Sequence, residues 1–334
     1  MAVKVTLIPG DGIGPEVSTA MVRVVDAVTE GRIEWESQLA GSAAVGAGFD
    51  PLPDATIESI RRNKLGIKGP LQTPIGKGWS SVNVAIRKAL DLYVSLRPVK
   101  SLPGPNKARY EDVDLIVVRE NTEGLYSGRE HEAVPGVVEA LKIVTRHASE
   151  RIVNFAFEHA RTLGRKKLTI VHKVSVMPQS DGLFLKAARE VASHFPFTEV
   201  EYLNLDNLVM ELALDPSRFD TIVLGNLDGD LVSDLCAGLV GGLGLVPGAN
   251  IGERFALFEA VHGTAPDIAG KGVANPTALI LSAEMMLRHM GQHHSADRMR
   301  RAVEEVLDGG SMVTGDLGGS AGTEQYTDAI LAAL

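Results

Sequence analysis

Two hydrophobic periods alternate along this chain. Residues 3–9 form a short apolar run that stops at a Gly-rich turn, and a helical pattern follows from 15 to 29. The same reading predicts strands at 65–68, 92–96, 113–119, 167–172 and 221–224. It predicts helices at 81–90, 149–163, 181–193, 229–240 and 275–290. Strands alternating with helices of this length argue for an α/β protein with a largely parallel sheet. Neither an internal repeat nor a low-complexity tract breaks the pattern. Segments 100–110 and 128–138 are richer in Pro, Gly and charge, as expected of domain crossings or protruding arms.

Composition narrows the function classes. The chain has 334 residues, 45% hydrophobic and 22% charged, enough for a sizeable core without staples. Lys plus Arg number 33 against 42 Asp plus Glu, a net charge of −9. That balance argues against a nucleic-acid partner and against an anionic membrane surface. Basic residues should therefore matter where several converge on one anionic ligand. The single cysteine, Cys236, excludes an internal disulfide and a cysteine-built metal site, and fits a reducing compartment. The first residues run into a strand with no leader pattern, and no apolar run is long enough for a membrane span, so a cytoplasmic location is expected.

Five segments carry candidate chemistry. Gly10-Asp11-Gly12-Ile13-Gly14 sits between a strand and a helix, but its glycine spacing is not that of a dinucleotide fingerprint; it reads as a tight turn needing positive φ. Asp230 and Asp234, four apart in Gly229-Asp230-Leu231-Val232-Ser233-Asp234, place two carboxylates on one helix face among apolar neighbours. Such oxygen donors suit Mg2+ or Mn2+, with Asp206 a further acid in an apolar context. Arg97, Arg119 and Lys173 follow or end strands, where α/β sheets bind ligands, and Arg87 lies on the helix after Ser81 and Asn83. Each alone reads as a surface ion-pair partner; together, beside two aspartates, they point to a carboxylate ligand. Tyr126 reads from spacing alone as structural, although a tyrosine can serve in proton transfer. The Gly- and Pro-containing loop 259–271 offers backbone N–H groups to phosphate or ribose oxygens, while His262 by itself is weak evidence.

Taken in order, these pieces resemble the isocitrate/isopropylmalate dehydrogenase family of β-decarboxylating dehydrogenases. The resemblance spans Ile8-Pro9-Gly10-Asp11-Gly12 to Gly315-Asp316-Leu317-Gly318-Gly319. Its most specific stretches are Asp91-Leu92-Tyr93, Leu96-Arg97-Pro98, Arg119-Glu120-Asn121-Thr122-Glu123-Gly124 and His262-Gly263-Thr264-Ala265-Pro266. It implies an isopropylmalate dehydrogenase-like two-domain α/β fold with a largely parallel central sheet, not a Rossmann fold. Residues 1–99 and 255–334 would form a large discontinuous domain on the cofactor side, and 100–254 a small domain on the metal and dimer side. A homodimer with shared active sites is implied. Arg87, Arg97 and Arg119 would hold the malate part of the substrate, and Tyr126 with Lys173 from the other subunit would form the acid–base pair. Mg2+ or Mn2+ would be held by Asp230 and Asp234 with Asp206 donated across the interface. NAD would lie against Thr73, His262, Gly263, Thr264, Ala265, Asp267, Ile268 and Asn275.

The resemblance also bears on choice of ligands. Ser81 and Asn83 match the isocitrate type, in which they hydrogen-bond a third carboxylate. An isopropyl group there would leave them unpaired, at roughly 1–3 kcal/mol per buried polar group. Asp267 and Ile268 stand where NADP-using relatives carry Lys and Tyr, and a carboxylate repels a 2′-phosphate, so NAD is expected. Homoisocitrate, 3-isopropylmalate or tartrate is an alternative substrate, and a non-catalytic regulatory subunit is an alternative of another class. Two departures stand out. Val174-Ser175 replaces the family's small residue and Asn after Lys173, which should weaken a nicotinamide or substrate contact. Asp228 adds a charge beside the metal motif, tuning the metal or facing solvent.

Overall fold

The computed structural model describes residues 2–74 and 79–334; Gly78, which opens the predicted substrate-reading segment, lies outside them. The described residues form strands β1 (Val3–Ile8), β2 (Ile33–Ser37), β3 (Leu65–Lys68), β4 (Val94–Lys100), β5 (Asp114–Glu120), β6 (Glu130–Val134), β7 (Val137–Ala140), β8 (Lys167–His172), β9 (Glu199–Asn204), β10 (Thr221–Leu224), β11 (Pro247–Ile251) and β12 (Ala256–Ala260). The helices are α1 (Gly14–Thr29), α2 (Ser42–Gly46), α3 (Asp54–Asn63), α4 (Val82–Ala89), α5 (Arg146–Thr162), α6 (Ser180–Ala192), α7 (Leu205–Leu214), α8 (Asn226–Leu239), α9 (Thr277–His289), α10 (His293–Gly309) and α11 (Thr323–Ala332).

Ten strands make one sheet in the order β2-β1-β3-β12-β11-β4-β5-β10-β8-β9. Both flanks are parallel, whereas the centre, β12-β11-β4-β5, is antiparallel. The expected α/β class with a largely parallel sheet is what forms. Central strands are buried on both faces: Leu115, Ile116, Val117 and Val118 of β5 are at most 2% exposed, which requires helices on each side. Helix α9 is apolar nearly all round and correspondingly buried.

Arg97 does not follow its strand, as the spacing suggested, but sits within it, because β4 continues through Pro98 to Lys100. Proline is tolerated there because β11 pairs only with residues 94–96, so beyond Leu96 the strand has one neighbour and one free edge. Segment 128–138 is an arm: β6 and β7 form a two-stranded hairpin apart from the main sheet, and their residues are exposed.

Candidate active site

The ends of β3, β5 and β12 and the bodies of β4 and β11, with α4 above them and α8 alongside, enclose a cavity of about 250 Å³. Ser81, Asn83, Arg87, Arg97, Arg119, Tyr126, Asp230, His262 and Gly263 all line it. The sequence therefore anticipated a group of residues that the fold brings together.

Arg119 lies near the end of β5 and is 1% exposed. Its Nε and Nη2 donate to Asn226 Oδ1 at 3.1 and 2.7 Å, and its Nη1 bonds Asp230. The side chain runs along the first turn of α8 only because residue 229 is glycine: a Cβ there would lie 2.6 Å from Arg119 Cγ. Arg97 reaches the same helix, with Nη1 2.5 Å from Ser233 Oγ and 3.3 Å from Asp234 Oδ1, and Nη2 3.4 Å from Asp230 Oδ1. Tyr126 Oη donates to Asp230 Oδ2, and the Arg119 guanidinium stands 5.0 Å from the Tyr126 ring centroid. On the side of loop 259–271, Arg87 Nη2 lies 3.2 Å from Glu259 Oε1, and Lys68 pairs with Glu259 Oε2.

Electrostatics follow from this crowding. Burial, then Arg97 and Arg87, push Arg119 down to about 10. Burial opposes ionisation of Asp230, but Arg119, the Tyr126 hydrogen bond and Arg97 outweigh it and hold the carboxyl below its usual range. Asp234 is raised, by burial first, with Arg97 opposing. Burial and the bond to Asp230 raise Tyr126, so at neutral pH its phenol keeps a proton to give.

Asp230 and Asp234 lie one turn apart on α8, and Arg97 touches both. Their hard oxygen donors fit a divalent cation chemically. Among the described residues no third His, Cys, Asp or Glu of the same chain joins them. Asp206, in the first turn of α7, instead bonds Lys173, Nζ to Oδ1 at 2.6 Å, and neither lines the cavity. Asp228 neither joins Asp230 and Asp234 nor simply faces solvent: it lines a second cavity with Lys142 and Asp181, and burial raises its carboxyl. Val174 N is 3.4 Å from His172 Nδ1, and Ser175 is exposed.

Around the candidate cofactor loop, Thr264 O accepts from Ile13 N at 3.0 Å, Ala265 adopts a left-handed conformation with φ 38°, and Pro266–Ile268 makes one 3-10 turn carrying exposed Asp267. Asn275 Nδ2 donates to Asp316 Oδ2 at 2.9 Å. Thr73 is exposed. Gly10 and Gly12 have φ of 85° and 60°, and Asp11 accepts from the backbone N–H groups of Ser42, Ala43 and Gln72, so this segment is the tight turn its spacing predicted. Asn83 Oδ1 and His262 Nε2 are buried and have no partner among the described residues, as expected of a site that a polar ligand completes.

Sequence reasoning missed Lys68, Asn226, Asn250 and the role of Glu259. Lys68 offered a signal: it is the charged end of an otherwise apolar strand, the argument that found Arg119.

The isocitrate/isopropylmalate dehydrogenase family model matches residues 4–330. A mitochondrial regulatory subunit of NAD isocitrate dehydrogenase from Dictyostelium discoideum is 54% identical over 98% of this chain and 91% of its own length. A chloroplastic 3-isopropylmalate dehydrogenase of Solanum tuberosum is 52% identical over 93% of this chain and 87% of its own. A solved isocitrate dehydrogenase from Methylococcus capsulatus superposes with a TM-score of 0.95 at 50% identity, covering 100% of this chain and 99% of the other. The mitochondrial designation recurs among animal and plant relatives. It overturns the cytoplasmic expectation: a lone cysteine does not separate a cytoplasmic protein from organellar relatives this similar.

Proposed function

The chain belongs to the isocitrate/isopropylmalate dehydrogenase family, and from that premise we propose that it catalyses the NAD-dependent oxidative decarboxylation of isocitrate to 2-oxoglutarate and CO2 with Mg2+ or Mn2+. The observation that carries this reading is the polar wall of the cavity: Ser81 beside Asn83, whose buried Oδ1 is unpaired among the described residues, facing basic side chains. An isopropyl group would leave that wall unsatisfied, while a third carboxylate with its bound water or proton satisfies it. Charge supports it too. Within one chain Lys68, Arg87, Arg97 and Arg119 exceed Glu259, Asp230 and Asp234 by one, and a divalent cation would add two more positive charges, which suits an anionic polycarboxylate.

In this reading Arg87, Arg97 and Arg119 pin two carboxylates and exclude other orientations. A divalent cation held by Asp230 and Asp234, with Asp206 of the partner subunit, would supply acidification of the 2-hydroxyl and an electron sink during CO2 loss. NAD along Thr73, residues 262–268 and Asn275 would supply the hydride acceptor, with Asp267 favouring a ribose hydroxyl over a 2′-phosphate. Lys173 of the partner subunit receives the hydroxyl proton, and Tyr126, protonated and aimed by Asp230, delivers one to the carbon that CO2 leaves. Residues 1–99 and 255–334 form the cofactor side, and 100–254 the metal and dimer-contact side.

Two relatives' names bear on a second reading, a regulatory subunit that binds ligands without turnover or an isopropylmalate enzyme. Purified chain alone, given isocitrate, NAD and Mn2+, is the test: NADH and CO2 formed in equal amounts support a catalytic chain, and ligand binding without turnover supports the regulatory one.

A further inference from the structure

β3 and β12 run parallel with Lys68 opposite Glu259, so ammonium and carboxylate meet across one strand spacing. Arg87, in the last turn of α4, reaches the other carboxylate oxygen. Asn250 Nδ2 donates to that same oxygen at 2.6 Å, and Asn121 Nδ2 donates to Asn250 Oδ1 at 3.0 Å. Lys68, Arg87 and Glu259 side chains are only 3%, 10% and 12% exposed. Among the described residues the two cations have one carboxylate partner between them, Glu259. A carboxylate gripped from three directions cannot swing, so it fixes whatever it grips.

We propose that Glu259 is a positioning residue for substrate recognition, holding the Lys68 ammonium and the Arg87 guanidinium at a set separation as the receptor for one substrate carboxylate. The inference rests on the reading of this cavity as a polycarboxylic-acid site. Glu259 makes and breaks no bond; it acts through its two partners. Its charge is secure, because burial is outweighed by Lys68 and Arg87, which hold the carboxyl below the usual range. Lys68 also reaches Gly69 O at 3.3 Å. The cavity's other charged or titratable groups are Arg97, Arg119, Tyr126, Asp230 and His262, the last kept neutral by burial. Without Glu259, the buried ammonium has no adjacent counter-charge and sheds its proton more readily.

The test is the Michaelis parameters for isocitrate, with NAD and Mn2+, from about pH 6 to pH 9. Glu259→Gln should raise KM roughly tenfold or more with kcat within about threefold, and kcat/KM should fall as pH rises, a limb absent from the parent protein. Glu259→Asp keeps the charge but withdraws it, and Asn250→Ala loosens it; each should raise KM about threefold with a parallel pH profile. In a Lys68→Met background, Glu259→Gln should cost clearly less than it does alone. A Glu259→Gln profile matching the parent, or an equal cost with and without Lys68, overturns the inference while leaving the substrate reading intact. Should Glu259→Gln not fold, unchanged KM in both Glu259→Asp and Asn250→Ala overturns it. A parent protein that neither binds nor turns over isocitrate overturns the reading, and the inference with it.

Discussion

Asp230 is the residue on which the site's charges meet: Arg119, Arg97 and Tyr126 all touch it. Tyr126→Phe removes a proton donor without emptying the cavity. Its turnover should fall on the order of a hundredfold, with substrate affinity by calorimetry changed less than about threefold. Glu259 makes a separate prediction for stability. Its carboxyl is held below the ordinary range in the folded chain. The stabilisation is therefore full above the unfolded carboxylate range and is lost as pH falls toward the folded value. Melting temperature should drop more steeply between about pH 6 and pH 3 in the parent protein than in Glu259→Gln; parallel curves would show that the carboxylate adds nothing. At this scale the sequence was legible where a charge ended a strand or two acids shared a helix face, hence Arg119, Asp230 and Asp234. It was illegible at Glu259, whose partners Lys68 and Arg87 are 191 and 172 residues away and meet it only through strand pairing and the placement of α4.

Among elements, the Gly10–Glu16 turn braces both loops beside the cavity. Asp11 N donates to Pro70 O at 2.7 Å, and Glu16 accepts from Gly272 N at 3.3 Å and Ala274 N at 2.9 Å. A Cβ on Gly12 would lie 2.0 Å from Thr264 O. Gly12→Ala must therefore displace the 264 loop, at about 1–3 kcal/mol in a thermal or denaturant melt. It should raise KM for NAD more than KM for isocitrate; equal effects would detach this turn from cofactor binding. Strand and helix positions were readable from periodicity, and α1, β8 and β10 lie within a residue of expectation. Strand direction was not. Alternation of apolar positions is the same in parallel and antiparallel strands, so the antiparallel centre emerged only from pairing, and Pro98 disguised the true length of β4.

For the whole molecule, the pair Lys173–Asp206 lies off the cavity that holds Tyr126 and Asp230. Helices α7 and α8 expose Val209, Met210, Leu214 and Leu231 at 40%, 54%, 71% and 62%, an apolar face suited to a second copy. Periodicity alone does not tell a helix face buried by the fold from one left open to a partner. If two-fold pairing brings Lys173 of each copy to the other's Tyr126, inactive Lys173→Met and Tyr126→Phe chains should rescue each other. Equal mixing with free exchange should restore about a quarter of the sites, since half the dimers are mixed and each has one intact site. No recovery after verified exchange would place both groups in one chain's site.

The central claim is a preference, so the direct measurement is kcat/KM of the purified chain for isocitrate, homoisocitrate and 3-isopropylmalate, each with NAD and NADP in Mg2+ or Mn2+. Isocitrate with NAD should exceed 3-isopropylmalate with NAD by about a hundredfold or more, and NADP should be the poorer cofactor. Faster turnover of 3-isopropylmalate, or preference for NADP, would contradict the roles given to Ser81, Asn83 and Asp267.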